Sequence, residues 1–252
     1  MENCLDKKYE LRYFEMDKHG TLAPTTVLTL LEETAAEHCH NIGYSLHDLE
    51  RRNIGWVLVS GTIDMLRYPR YKENIEIRTW ISKYTLVKGY RENIIYDESG
   101  AVIGKARGVW VFYDIDKKKP VPIFDEIKSK WGVNAKVSQE PGAGAGADAI
   151  SVISGDVAHQ LEYDVHKSDV DSNKHVNNIR YFHWLIESMP DDFSRDYALR
   201  RLNGKFYSEA RYGEKIRVCV EGGAGRGVFS HTMRSSLDNR LLAAARTVWE
   251  EK

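Results

Sequence analysis

The chain has 252 residues, of which 42% are hydrophobic and 29% charged, a balance typical of a protein with a packed core rather than a disordered one. Lysine and arginine number 36 against 37 aspartates and glutamates, so the net charge of −1 provides no overall positive field for a nucleic acid or an anionic membrane. Three widely spaced cysteines, Cys4, Cys39 and Cys219, argue against a disulfide framework and against a zinc site of paired cysteines.

The N-terminal segment is charged from its second residue and has no apolar run of signal-peptide length. No stretch of the chain approaches the roughly 18 consecutive apolar residues of a membrane span. We therefore predict a reduced, cytoplasmic protein with no nucleic-acid partner and no membrane.

The first half, predicted as residues 1–132, opens with a short alternating strand at 9–14. An aspartate-containing loop and a helix follow, and Pro24 suits the first turn of that helix. One face of the helix carries side chains at helical spacing. They are Val27, Leu30, Leu31, Thr34, Ala35 and His38. Four further strands are predicted at 56–66, 75–82, 88–97 and 102–113.

The stretch 133–155 is rich in glycine and alanine and shows no helical or strand periodicity. This composition is typical of a linker. We therefore predict a second half at residues 156–252.

The second half repeats the order of the first: a strand at 160–165, a polar loop and a helix. The apolar side chains of this helix are Ile179, Tyr181, Phe182, Trp184, Leu185, Ile186 and Met189. Pro190 is predicted to stop the helix. Strands are predicted at 202–209, 216–221, 227–235 and 241–250.

Two segments recur in the same order in both halves. The pattern Arg-Tyr-x-Glu-x-Ile occurs at 70–75 and at 211–216, and an Ala-Arg-x-Val-Trp pattern occurs at 106–110 and at 245–249. Both pairs together indicate a duplicated domain. Each half is predicted to be α+β, a long helix wrapped by an antiparallel sheet of about five strands.

The most polar run before a buried helix is residues 169–178, Asp-Val-Asp-Ser-Asn-Lys-His-Val-Asn-Asn. A calcium loop is excluded, because Lys174 stands where such a loop needs glycine and Arg180 where it needs glutamate. Helix capping explains one or two of the residues. The alternating Asp-x-Asn-x-His favours an active-site loop at a helix N-terminus, with His175 as a proton carrier. The matching residues 17–20 lack the asparagine and the full spacing, which favours a single site in the second half.

This loop resembles the signature loop of the acyl-acyl-carrier-protein (acyl-ACP) thioesterases, which are plant plastid enzymes with bacterial relatives. The residues that carry the resemblance are Asp171, Asn173, His175, Val176, Asn177, Asn178 and Tyr181, before a helix ending Glu187-Ser188. The first half agrees in Leu30-Leu31-Glu32-Glu33-Thr34-Ala35, in Arg51-Arg52-Asn53-x-x-Trp56-Val57 and in Arg67-Tyr68-Pro69. The resemblance covers nearly the whole chain and implies a tandem double hotdog fold.

The resemblance also implies a catalytic set, and its members are Asp171, Asn173, His175 and, on the following strand, Glu209. Many plant members have cysteine after this glutamate, whereas this chain has Ala210, so a thiol nucleophile is excluded at that position. We expect water to attack a thioester, with Glu209 or His175 as the general base. Asp171 either orients His175 or attacks directly as a nucleophile.

The predicted function is a thiolester hydrolase that cleaves fatty acyl-ACP to free fatty acid and ACP and so ends fatty acid synthesis. We predict that Asn177, Asn178 and Trp56 contact the substrate, that the first half binds the acyl chain, and that no metal or cofactor takes part. The partner is acyl-ACP, and the protein is a monomer or a homodimer. Two alternatives remain open, a hotdog acyl-CoA thioesterase and a non-catalytic acyl-binding hotdog protein.

Overall fold

The computed structural model describes residues 3–133, 150, 152–153, 159–171, 176–223 and 227–252. The chain divides into two units, residues 1–59 with 63–145 and residues 60–62 with 146–252. The linker predicted at 133–155 falls mostly outside the described residues, and its boundaries stay a prediction. No helix in the described parts is both long enough and apolar enough to cross a membrane.

The first half contains one long helix, two short helices and six strands. These elements are β1 (Cys4–Glu10), α1 (Pro24–Asn41), α2 (Leu46–Glu50), β2 (Ile54–Met65), β3 (Asn74–Tyr84), β4 (Lys88–Asp97), β5 (Val102–Asp114), β6 (Lys119–Pro120) and α3 (Asp125–Trp131). The main strands pair in the order β1-β3-β4-β5-β2, with the two-residue β6 beside β5. Pro24 begins α1 as predicted, since its missing N–H is no loss in a first turn.

The core of the first half lies between the helices and one face of the sheet. The predicted face of α1 is buried at Val27, Leu30, Leu31, Thr34 and His38. A further apolar cluster joins the C-terminal part of α1 to α3. Its buried members are Cys39, Tyr44, Leu49, Ile54, Ile81, Phe112, Ile123, Ile127 and Trp131.

The described part of the second half has a shorter central helix, one short helix and five strands. These elements are β7 (His159–Asp164), α4 (Asn178–Glu187), α5 (Asp191–Asp196), β8 (Tyr197–Phe206), β9 (Lys215–Gly223), β10 (Val228–Ser235) and β11 (Leu241–Glu251). They pair in the order β7-β9-β10-β11-β8, which is the order of the first half. The predicted α+β architecture with a helix against an antiparallel sheet in each half is confirmed.

The repeat extends to the register of the strands. Ile75 pairs with Tyr9 in the first half, and Ile216 pairs with Tyr163 in the second. The repeated turns that precede β3 and β9 place Lys72 and Gly213 in the left-handed region, at φ of 70° and 81°. The internal duplication read from the sequence is therefore confirmed.

Two predicted boundaries are wrong, and one is confirmed. β1 begins at Cys4 rather than at residue 9, and residues 13–15 form a single 3₁₀ turn. α4 ends at Glu187, three residues before Pro190, as predicted, and Pro190 also precedes the unpredicted short helix α5. β8 runs from Tyr197 to Phe206 rather than over 202–209, so Glu209 follows the strand instead of lying on it.

Candidate functional site

Residues 170–176, here called the α4 loop, are closed at their base by two backbone contacts. Val170 and Val176 form an antiparallel bridge, and Asn177 N–H donates to the carbonyl of Asp169 at 2.9 Å. Asp171 is half-buried at the start of the loop. Asn173 and His175, the other two predicted catalytic residues of the loop, lie outside the described residues.

A buried carboxylate supports the base of the α4 loop. Asp169 is 6% exposed and accepts a hydrogen bond from His166 N–H at 2.8 Å. Its second oxygen lies 3.1 Å from Arg180 Nε, one turn into α4. Asp169 therefore joins the entry of the loop to the helix behind it, a role that sequence reasoning did not identify.

The start of α4 is capped by Asn177. Its Oδ1 accepts a hydrogen bond from Ile179 N–H at 2.8 Å, the geometry of a helix N-cap. Asn178 is the first residue of the helix. The capping alternative thus holds for Asn177, while substrate contact by Asn177 and Asn178 stays a prediction.

The first half carries an equivalent loop, residues 16–22, here called the α1 loop. A bridge between Met16 and Leu22 closes it, and Ala23 N–H donates to the carbonyl of Glu15 at 3.0 Å. Both loops span seven residues between and including their bridge positions, which pairs Asp17 with Asp171 in position. Residues 172–175 of the α4 loop lie outside the described residues, so the comparison of the full motif stays a prediction.

Glu209 lies in an irregular stretch between β8 and β9, residues 207–214, here called the Glu209 segment. Its entry is held by Tyr207 N–H and Ser208 N–H, which both donate to the carbonyl of Leu242, at 2.9 and 3.3 Å. Ser208 Oγ donates to the carbonyl of Leu241 at 2.6 Å. These bonds end the pairing of β8 and leave the Glu209 side chain exposed.

A tyrosine joins α4 to the Glu209 segment. Ala210 N–H donates to the hydroxyl oxygen of Tyr181 at 2.7 Å. The Tyr181 ring is 3% exposed and packs edge-on against Phe206 with 5.4 Å between ring centroids. The pKa of Tyr181 is raised to about 12, chiefly by burial; the hydrogen bond from Ala210 opposes this rise and the nearby carboxylate of Glu209 adds to it. Tyr181 therefore remains a neutral phenol at physiological pH.

Arg240 holds the Glu209 segment from a second direction. Its Nη2 donates to the carbonyl of Glu209 at 3.0 Å and to the carboxylate of Glu214 at 3.0 Å. Tyr181 and Arg240 thus hold the N–H and the carbonyl of a single peptide unit, the one that joins Glu209 to Ala210. The sequence motif contained Tyr181 but assigned it only to the apolar face of the helix, and nothing in the sequence singled out Arg240.

Trp56 lies on β2 in the first half, among other aromatic side chains. Its ring centroid is 4.8 Å from that of Phe112 and 6.2 Å from that of Trp131. The indole Nε1 is buried and has no hydrogen-bond partner among the described residues. This position is compatible with an apolar ligand, and substrate contact by Trp56 stays a prediction.

In each half the chain matches a family model. Residues 2–131 match the acyl-ACP thioesterase N-terminal domain, and residues 154–251 match the acyl-ACP thioesterase C-terminal domain. Together the two models cover more than half of the chain.

Curated relatives and solved structures agree with the family models. Oleoyl-ACP thioesterase 2 of Arabidopsis thaliana is 25% identical over 98% of this chain and 76% of its own length. The oleoyl-ACP thioesterase of Coriandrum sativum is 24% identical over 83% of this chain, which spans 60% of that relative. A crystal structure of an acyl-ACP thioesterase from Bacteroides thetaiotaomicron has a TM-score of 0.86 at 21% identity, over 98% of both chains. The 12:0-ACP thioesterase of Umbellularia californica also gives 0.86, at 17% identity over 99% of this chain and 98% of its own.

Proposed function

The chain belongs to the acyl-ACP thioesterase family, and we propose that it hydrolyses the thioester of a fatty acyl-ACP to free fatty acid and ACP, ending fatty acid synthesis. The observation that carries this proposal is the match of both family models, in order, to the two halves. The predicted family and the double hotdog fold are confirmed, and members of the family are thioester hydrolases.

In the proposed reaction, water attacks the thioester carbonyl carbon, and the carbon–sulfur bond breaks as the carrier thiol leaves with a proton. Glu209 or His175 removes the proton of the attacking water, a contribution of about 10²–10⁴-fold for a general base. Asn173 and the amide groups at the start of α4 stabilise the oxyanion. The geometry that supports Glu209 is its fixed backbone, held through Ala210 and Arg240.

For Asp171 we favour an orienting role over direct attack. Support comes from the equivalent residue of the α1 loop, Asp17. Its Oδ1 accepts hydrogen bonds from His19 N–H at 2.9 Å and from Thr21 N–H at 3.1 Å, and the Thr21 hydroxyl donates to the same oxygen at 3.2 Å. Thr21 corresponds in the repeat to His175. In the α1 loop, a carboxylate at this position therefore binds the residue four places ahead. We propose that Asp171 orients His175 in the same way.

Binding of the carrier is assigned to the surface around the Glu209 segment. Lys167 Nζ lies 5.8 Å from the centre of the Tyr212 ring, and Lys205 Nζ lies 4.9 Å from that of Tyr207. Both tyrosines are exposed, at 60% and 43%. Exposed cations beside tyrosines of the Glu209 segment suit an acidic carrier protein, because opposite charges speed and orient association.

We assign acyl-chain binding to residues 1–132 and catalysis to 156–252, joined by a linker at 133–155. A cytoplasmic location, and a monomer or a homodimer as the active form, are part of the same proposal. The aromatic surroundings of Trp56 support the assignment of the acyl chain to the first half.

The decisive experiment measures thiol release from acyl-ACP and acyl-CoA of the same chain lengths, with the Asp171→Asn variant as control. Faster release from acyl-ACP, lost in the variant, supports the proposal. Preference for acyl-CoA would keep the chemistry and change the partner. Absence of turnover by folded protein with either substrate would favour the non-catalytic acyl-binding alternative.

A further inference from the structure

A buried arginine in the first half has no acidic partner among the residues that the structure describes. Arg91 lies on β4 with 5% of its surface exposed. Its Nη1 donates to His38 Nδ1 and to Thr79 Oγ1, both at 3.0 Å. No carboxylate of the described residues lies within ion-pair distance of Arg91, although burying an unpaired charge is costly. The neighbouring Glu92 is engaged with Arg107 Nε at 2.6 Å.

The Arg91 guanidinium has a pair of parallel donors, Nε and Nη2, that suits a carboxylate. Nε and Nη2 of Arg91 have no acceptor among the residues that the structure describes. The same two nitrogens of Arg78, one strand away on β3, hold the carboxylate of Asp6 at 2.6 and 2.8 Å. Paired parallel hydrogen bonds of this kind are the geometry in which arginine recognises carboxylates.

The surroundings of Arg91 are aromatic and contain further unused polar atoms. The guanidinium lies 5.1 Å from the centre of the Trp131 ring, which in turn neighbours Trp56. The hydroxyl of Tyr84 is buried without a hydrogen-bond partner in the described structure. Tyr84 pairs across β3 and β4 with Gly89, which lies two positions before Arg91 on the same strand. Burial raises the pKa of Tyr84, and the charge of Arg91 opposes that rise. Trp56 and Tyr84 are only partly buried and form the outer wall of this cluster.

The fold does not require a cation at this position. Arg91 pairs with Ile81 across β3 and β4, and the equivalent pair in the second half is Phe229 with Gly222. Phe229 packs edge-on against the ring of Phe193 at 4.9 Å. The same strand position is thus filled by an apolar side chain in the other copy of the fold.

We propose that Arg91 and the hydroxyl of Tyr84 form a binding site for a carboxylate carried on an apolar chain, with Trp56 and Trp131 as walls. The bound carboxylate can come from two sources. One is a free fatty acid, and the other is an acyl chain that is joined to the carrier at one end and carries a free carboxylate at the other. The second source rests on the proposed thioesterase function, and the first does not.

The test compares decanoate with 1-decanol by isothermal titration calorimetry on the full chain. Decanoate is expected to bind about 10- to 100-fold more tightly than the alcohol, the advantage expected of a charge-assisted pair. Arg91→Gln should remove most of this preference and Tyr84→Phe part of it. The matched control is Arg78→Gln, which changes the arginine of β3 that already binds Asp6. This variant should retain the preference for decanoate. If Arg91→Gln fails to fold, as judged by circular dichroism, Arg91→Lys replaces it, because it keeps the charge but not the paired donors.

A second arm identifies the source of the carboxylate. Hydrolysis rates are compared for decanoyl-ACP and for the same carrier bearing a ten-carbon chain that ends in a second carboxylate. An Arg91-dependent preference for the second substrate assigns the site to the acyl tail. Equal rates together with tight decanoate binding assign it to free fatty acid. Decanoate binding without any hydrolysis would remove the proposed function and leave this site standing. Equal binding of decanoate and decanol together with equal rates would overturn the inference.

Discussion

The two halves hold the stretch after their second strand with the same hydrogen bonds. In the first half, Leu66 N–H and Arg67 N–H both donate to the carbonyl of Ile103, at 2.9 and 3.3 Å. The Glu209 segment repeats both bonds and both distances with Leu242 as the acceptor. The backbone frame around the candidate site is therefore a property of the duplicated fold and not of the chemistry.

The difference between the halves begins at the third residue of this stretch. Glu209 in the second half corresponds to Tyr68 in the first. The next residue is Ala210, which donates its N–H to Tyr181, whereas the first half has Pro69, which has no N–H to donate. The same backbone arrangement therefore carries a glutamate in one half and a Tyr-Pro pair in the other, and the candidate site differs from its counterpart in these few residues.

The largest effect is expected from removing the carboxylate that distinguishes the halves. Glu209→Gln should lower kcat for acyl-ACP hydrolysis by about 10²–10⁴-fold, the usual contribution of a general base. Tyr68→Phe, at the equivalent position, should change kcat by less than about threefold, because the proposal assigns catalysis to the second half. Steady-state thiol release with folded protein checks both. A similar loss in both variants would place chemistry in both halves.

A second effect tests the bond between α4 and the Glu209 segment. Tyr181→Phe leaves the ring packed but removes the acceptor of the Ala210 N–H, and the equivalent residue of α1 is the apolar Val27. We expect kcat to fall by about 10- to 100-fold, since a buried donor left unpaired costs about 1–3 kcal/mol. KM for acyl-ACP should stay nearly constant, because the tyrosine acts only through the position of Glu209.

The control for this change is Tyr163→Phe, which removes a buried hydroxyl that has no partner among the described residues. It should leave kcat and KM unchanged. A Tyr181→Phe variant that loses thermal stability but keeps its kcat and the acidic limb of its pH–rate profile would show that the bond is structural only.

The duplication, the helices and most strand positions could be predicted, because they depend on periodicity and on segments that recur in the chain. The end of β8 could not be predicted, because it depends on hydrogen bonds from Tyr207 and Ser208 to Leu242 on β11, a strand that is distant in the sequence. Tyr181 looked apolar because its ring lies in the buried stripe, and only the fold brings its hydroxyl to Ala210. Local pattern thus locates the candidate residues, while long-range contacts decide what holds them.

A smaller effect, on stability, is expected from removing the carboxylates that support the two loops. Glu15 and Asp169 are buried and accept a hydrogen bond from the N–H three residues before, Arg12 and His166, at 2.7 and 2.8 Å. Glu15→Gln and Asp169→Asn should each lower the free energy of unfolding by about 1–3 kcal/mol in urea denaturation. Only Asp169→Asn should also lower kcat, because it disturbs the α4 loop. Equal kcat in both variants would separate loop support from catalysis.

The smallest effect expected at neutral pH concerns one buried histidine in each half. Burial lowers the pKa of His38, near the charge of Arg91, and that of His231 to about 3. Both are neutral in the folded chain, whereas in the unfolded chain they bind protons below about pH 6.5. Their contribution to stability is thus complete above pH 6.5 and is lost as the pH falls toward 3, by about 1.4 kcal/mol per pH unit for each histidine. Urea denaturation between pH 5 and 8 gives the free energy of unfolding at each pH, and below pH 6.5 this free energy should show the expected slope. In His38→Gln and in His231→Gln the slope should be smaller by the equivalent of one bound proton. A slope that changes in only one of the two variants would show that the halves differ in their buried titrating groups as they do in their loops.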